Sequence, residues 1–210
     1  MPFNPASLDL KKLFAVPGMF DSNDSFRAAG FAAVNRGPYL IMVGSHKEAQ
    51  GYLFKKYRNH ISLKEQHKNY VRRIEGVQKL RAFIAKRRLQ HIVAPQKWLY
   101  ELPRSFSSHG RSSYVLIVER LMILDEEASK QKYRHISKDV LRELCTVLVK
   151  FRGLDSTARN MVFTEAGQIA FVDTENWDRR KKSWLRYIGP QLSKKRLALA
   201  EEIFDDFGDR

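Results

Sequence analysis

The chain has 210 residues, 43% of them hydrophobic, and a formal net charge of +15. That composition excludes a disordered chain and suffices for one sizeable core or two small lobes sharing a cleft. The single Cys145 excludes an internal disulfide, and no apolar run nears the roughly 20 residues of a membrane span, the longest lying near Tyr39–Val43 and Tyr114–Val118.

The opening MPFNPASLDLKKLF has neither the basic n-region nor the long apolar stretch of a secretory signal. The expected location is therefore the cytoplasm, or the cytosol of another cell into which the chain is delivered. Tyr39–Val43 and Gly51–Tyr57 read as two strands joined by a polar turn over Gly44–Gln50. Lys55 and Lys56 end the second strand, and alternation sends them to opposite faces, so a register error of one would exchange them. From Leu63 to about Leu89 the sequence is helical, with Tyr70, Ile74, Val77, Leu80 and Ile84 as one apolar stripe and Glu75 read as lying beside it.

Short strands are predicted at Ile92–Val93, Trp98–Leu102 and Tyr114–Val118, with a Ser-rich surface loop over Ser105–Ser113. Ser137–Arg152 is a helix with Ser137 as N-cap and Val140, Leu141, Leu144, Val147, Leu148 and Phe151 facing inward. Cys145 lies on it as a small core residue. Gly189-Pro190 opens one last helix, whose buried side is Leu197, Ala200, Ile203, Phe204 and Phe207, with Gly208 near its stop.

The densest chemistry lies in GLDSTARNMVFTEAGQIAFVDTE, Gly153–Glu175. Asp155 and Asn160 bracket a tight loop, Met161–Phe163 and Ile169–Val172 form a hairpin over a Thr-Glu-Ala-Gly turn, and Asp173 follows the second strand. Three oxygen-bearing side chains are thus expected to converge at one end of a small sheet, a set that suits Mg²⁺ and the phosphates it carries.

This spacing resembles the catalytic and metal loops of the protein-kinase-like superfamily, H-R-D-x-x-x-x-N followed by D-F-G. The resemblance implies an α+β, two-lobed fold with a small antiparallel-sheet N-lobe over residues 1–118 and a reduced helical C-lobe over 119–210. It further implies an ATP- and Mg²⁺-dependent phosphotransferase. In that frame Asp155 is the catalytic Asp, and Asn160 and Asp173 are the metal ligands. Lys55, or its rival Lys56, contacts phosphate, and Glu75 or Glu65 pairs with that lysine. Glu119–Leu121 is the hinge whose backbone would bind adenine, so Glu119 and Leu121 are the expected nucleotide contacts.

The departures from the family pattern are also informative. Gly153 and Leu154 replace the His-Arg pair, so control through a phosphorylated activation loop is not expected. Asp173-Thr174-Glu175 is closer to the D-x-E of choline-kinase-like and aminoglycoside-phosphotransferase-like enzymes, which makes Glu175 a candidate second carboxylate at the metal. No G-x-G-x-x-G loop exists among Gly30, Gly37 and Gly44, and no A-P-E follows. The acceptor is expected to be a protein, small molecule or anionic lipid bearing a hydroxyl.

Basic runs at Lys86–Arg88, Arg179–Lys182 and Lys194–Arg196 would attract polyanions. Nucleic acid is a partner compatible with them but not favoured, because no zinc-finger, RNP or helix-turn-helix pattern accompanies them. A catalytically weak module that holds an acidic partner or nucleic acid is the alternative reading. His46, His60, His67, His91, His109 and His135 lack metal-ligand spacing and are read as surface or structural residues.

Overall fold

In the computed structural model, Pro5 and residues 8–33, 41–57, 61–102, 113–178 and 188–208 are described. Strand residues 39–40, the loop residues 105–112, the basic run Arg179–Lys182, Gly37, His60, His109 and the side chain of Phe207 lie outside them. The class is α+β. Two compact units form, Met1–Ile74 with Gln96–Arg120 and Glu75–Pro95 with Leu121–Arg210. The chain passes between these units three times, after Ile74, Pro95 and Arg120.

The first unit is built on a five-stranded antiparallel sheet in the order β1-β2-β3-β6-β5. Its strands are β1 (Phe31–Ala33), β2 (Ile41–His46), β3 (Tyr52–Tyr57), β5 (Lys97–Leu102) and β6 (Ser113–Glu119). β2 runs through Ser45 to His46, so the expected turn shrinks to a 3-10 helix at Lys47–Ala49 and its flanks. Period-two alternation divides β3 between two cores. Tyr52 and Phe54 join Phe14, Phe20, Phe26 and Phe31 on one face, whereas Leu53 and Tyr57 join Tyr70, Leu116 and Val118 on the other.

The first core draws in two helices that the hydrophobic pattern did not predict, α1 (Leu10–Leu13) and α2 (Asn23–Ala28). Neither is long enough to persist alone. Caps start them, Asp9 Oδ1 accepting from Lys12 N at 3.0 Å and Ser22 Oγ from Ser25 N at 2.9 Å. Aromatic packing then holds them, with Phe26 stacked on Phe31 at 4.4 Å and Phe14 edge-on to Phe54 at 5.6 Å.

In the second unit a smaller sheet has the order β4-β8-β7, with β4 (Ile92–Val93) parallel to β8 (Ile169–Phe171) and β8 antiparallel to β7 (Met161–Phe163). β4 therefore belongs with the β7–β8 hairpin and not with the first sheet. Around this sheet lie the second half of α3 (Leu63–Arg87), then α4 (Glu126–Arg134), α5 (Lys138–Lys150) and α6 (Lys194–Gly208). Their buried residues, among them Val77, Leu80, Leu141, Leu144, Leu148, Phe171, Ala200 and Ile203, form one core with the hairpin. α4 was not expected. Gly189–Gln191 is a separate 3-10 turn, so the last helix begins at Lys194 and not at the Gly-Pro pair. Cys145 is buried as expected, and burial pushes its thiol up to about 12. Among the described residues, no helix is long and apolar enough to cross a membrane.

Candidate functional site

α5 carries the chain to the first loop. Ser137 Oγ accepts from Val140 N at 3.2 Å, and an unbroken apolar face seats the helix in the core, so its C-terminal end is a fixed platform. From there Leu154 N returns to Phe151 O at 3.0 Å, and Asp155 Oδ1 accepts from Thr157 N at 3.3 Å. Thr157 O then receives both Asn160 N at 2.9 Å and Met161 N at 3.0 Å, which turns the chain into β7. The buried hydroxyl of Tyr133 donates to Met161 O at 2.8 Å and pins the start of that strand to α4.

The hairpin brings the second loop to the first. β7 and β8 pair with Met161 opposite Phe171, and Val172 N continues the ladder to Asn160 O at 3.0 Å. Asn160 and Asp173 consequently leave the same end of the sheet, as the spacing predicted, with the Asp155 turn leading directly into it. Asp173 Oδ1 accepts from Glu175 N at 3.2 Å, closing an Asx turn that bends the chain immediately after the strand. Asp155, Asn160, Asp173 and Glu175 are all half-buried.

These donors fit one magnesium ion in kind. Asp173 with the amide oxygen of Asn160 is the hard, oxygen-only set that Mg²⁺ takes when phosphates and water complete its shell. Among the described residues, no three His, Cys, Asp or Glu side chains are grouped for a metal. Asp155, Asp173 and Glu175 therefore do not make a ready three-carboxylate cage.

Gly76 positions the second loop, and the sequence reading passed over it. A Cβ at that point of α3 would stand 2.1 Å from Thr174 O and 2.7 Å from Trp177 Cδ1. Only the missing side chain lets the backbone of the fully buried Thr174 rest on the helix. A lone glycine in the middle of a strong helix costs about 1 kcal/mol, and that unexplained cost was the available signal. Four buried polar atoms in these two loops, Ser156 Oγ, Thr157 Oγ1, Asn176 Oδ1 and Trp177 Nε1, have no hydrogen-bond partner among the described residues. Loop regions so arranged are where ligands bind.

The remaining candidates separate by unit. Lys55 and Lys56 take opposite faces of β3. Lys56 is 2% exposed, with Nζ donating to Tyr57 O at 2.7 Å and to Gln66 Oε1 at 3.2 Å. Lys55 is half-buried, and α3 grips the strand at that point: Tyr70 Oη donates to Lys55 O at 3.1 Å and accepts from Tyr57 N at 2.8 Å. This favours Lys55 over Lys56 for any ligand contact.

Burial pulls Lys56 down to about 8, with Asp21 opposing part of the shift. Between pH 8 and the usual lysine value, unfolded chains hold this proton while folded ones have lost it, so folding stability rises with pH across that window. At about 1.4 kcal/mol per pH unit, the stability of the wild type relative to Lys56→Met should rise by up to about 3 kcal/mol from pH 8 to 10.5. Urea unfolding of both proteins at the two limits measures this, and a difference independent of pH would refute it.

Glu75 is solvent-exposed. The buried side of α3 is carried by Gln66, Tyr70, Arg73, Gly76, Val77 and Leu80. At 100° per residue Glu75 lies roughly 160° round from Val77, so it is turned away from the stripe that the sequence reading placed it beside. Glu65, its rival, is exposed in the first helical turn, where its N–H donates to Ser62 Oγ at 3.3 Å. At the expected hinge, Glu119 N donates to Gln96 O at 2.9 Å, Glu119 Oε2 accepts from Gln96 N at 2.8 Å, and Arg120 N donates to Gly51 O at 2.8 Å. The N–H groups of residues 119 and 120 are thus spent on the sheet, and Leu121 is the first hinge candidate beyond it.

Gly30 and Gly44, which lack the G-x-G-x-x-G spacing, serve the local fold. Gly44 lies in β2 opposite Phe54, where a Cβ would come 2.3 Å from the ring of Phe26, and Gly30 turns the chain from α2 into β1 at φ +88°. Compared with protein-family models and with curated proteins, the chain matches none.

Proposed function

We propose that this chain is a Mg²⁺- and ATP-dependent phosphotransferase, an atypical protein kinase that moves the γ-phosphoryl group of ATP to a hydroxyl. The observation that carries the reading is the Val172 N to Asn160 O bond at 3.0 Å, which places Asn160 and Asp173 at one sheet end directly after the Asp155 turn. Phosphoryl transfer depends on positioning and charge stabilisation, and this arrangement holds an Asp, an Asn and a second Asp on a capped helix and a paired hairpin.

Asp173 and Asn160, assisted by Glu175, would hold Mg²⁺, which supplies neutralisation of the phosphate oxygens when bound. Asp155 takes the proton of the acceptor hydroxyl as its oxygen forms the new bond to the γ-phosphorus and the bond to ADP breaks. The absence of an A-P-E segment and of the His-Arg pair points to an acceptor other than an extended peptide read by an activation segment: a folded protein surface, a small molecule or an anionic lipid.

The fate of Gly44 and the 3-10 connection after β2 favour a second reading, a catalytically weak module without a phosphate lid. Thermal unfolding with millimolar ATP, with and without Mg²⁺, decides between them. Binding to the native state must raise the midpoint, by an amount equivalent to about 2.7 kcal/mol at a hundredfold excess over Kd. The transferase reading expects a Mg²⁺-dependent rise together with transfer of label from ATP to one of the acceptor classes. No rise at millimolar ATP would support the module.

A further inference from the structure

We propose that a groove in the second unit, between α3, the end of α5 and Trp177, is a docking site for an acidic protein segment that inserts an aromatic or large aliphatic side chain. The inference goes beyond phosphoryl transfer and holds whether or not the chain transfers phosphate. The groove encloses ≈ 640 Å³, within the roughly 300–1,000 Å³ range of ligand clefts. Its apolar lining comes from Phe83, Phe151 and Trp177, and its cations are Lys79, Lys150 and Arg152, all three exposed. One exposed carboxylate, Asp178, also lines the groove, so three cations against one anion around an apolar floor call for a ligand with an apolar body and net negative charge.

The geometry of the rings chooses the class of partner. Lys79 Nζ sits 4.4 Å from the Trp177 centroid, Arg87 lies 5.8 Å from the centre of Phe83, and Phe83 meets Phe151 edge-on at 5.4 Å and 87°. Lys79 thus covers one face of Trp177 and Arg87 one face of Phe83, which leaves fewer of the open platforms on which single-stranded nucleic acid depends. A side chain entering between ring edges needs no open face, and flanking Asp or Glu residues reach the surrounding ammonium and guanidinium groups.

The test is fluorescence anisotropy of the full chain with three labelled probes: a random copolymer of glutamate and tyrosine, polyglutamate of similar length, and oligo-dT. The copolymer should bind at least about tenfold more tightly than polyglutamate, because an inserted anchor is worth 1.4 kcal/mol or more. The paired substitution Lys150→Glu and Arg152→Glu, at exposed positions, should weaken copolymer binding by about tenfold or more, as should Trp177→Ala. Lys194→Glu with Lys195→Glu makes the same change in net charge on α6 and should leave binding within about twofold. Equal loss in that control, or equal binding of the two peptides, would overturn the proposal. Oligo-dT bound as tightly as the copolymer, and equally sensitive to the groove substitutions, would overturn it in favour of nucleic acid.

Discussion

Under the proposed phosphotransferase reading, Asp173→Ala is expected to reduce Mg²⁺-ATP-dependent transfer by at least about a thousandfold, since a carboxylate holding the metal would contribute several kcal/mol of charge stabilisation and each 1.36 kcal/mol is a factor of ten. The fold should survive. Asp173 is half-buried and follows the last paired residue of the β7–β8 hairpin, so the Val172 N to Asn160 O bond does not need its side chain. The substitution removes the Asx turn to Glu175 N. Asp173→Asn keeps that acceptor while removing the charge, and should be nearly as inactive with an unchanged thermal midpoint. Transfer at the wild-type rate by either protein would eliminate the proposed metal site.

Gly76→Ala should be destabilising although alanine is the better helix former. The change gains about 1 kcal/mol of helix propensity. Against this, the new methyl would meet Thr174 O at 2.1 Å, and the atom in the way is backbone in a fully buried loop, not the end of a flexible side chain. Overpacking of that kind costs about 1–3 kcal/mol and occasionally more. A net loss of about 1–2 kcal/mol corresponds to a midpoint lowered by roughly 2–8 °C in a chain of this size. The displaced loop carries Asp173, and a misplacement of about 1 Å at a reacting group costs on the order of a hundredfold in rate. Gln78→Ala, exposed on the same helix, is the control and should change stability by no more than about 0.5 kcal/mol. A Gly76→Ala protein as stable and active as that control would show that the approach of Thr174 to α3 is not tight.

Both expectations come from a loop that was legible in part. The hairpin, its Thr-Glu-Ala-Gly turn and the helix before it could be read because their signals are local: two short apolar runs, a glycine now found at φ +81° in Gly167, and an apolar stripe behind a serine cap. The joint end of Asn160 and Asp173 followed from strand arithmetic alone. Gly76 could not be assigned a purpose, because its partner lies almost a hundred residues away and a contact at that separation leaves no periodic trace. Glu75 was misplaced for a related reason. The stripe was identified, but the neighbour of a stripe residue lies 100° round the helix, and the buried side also takes in the polar Gln66 and Arg73.

Sequence by itself determined the long charged helix, the capped helix before the Asp155 loop and the hairpin after it, because each is written in spacing over a few residues. Tertiary structure alone decided which of two adjacent lysines is buried, how α1 and α2 are held by an aromatic core, and that β4 pairs with β8. It alone also revealed that a missing Cβ on α3 seats the Asp173 loop. In those cases the free energy comes from packing between residues far apart in the chain, where composition and periodicity carry no record of the partner.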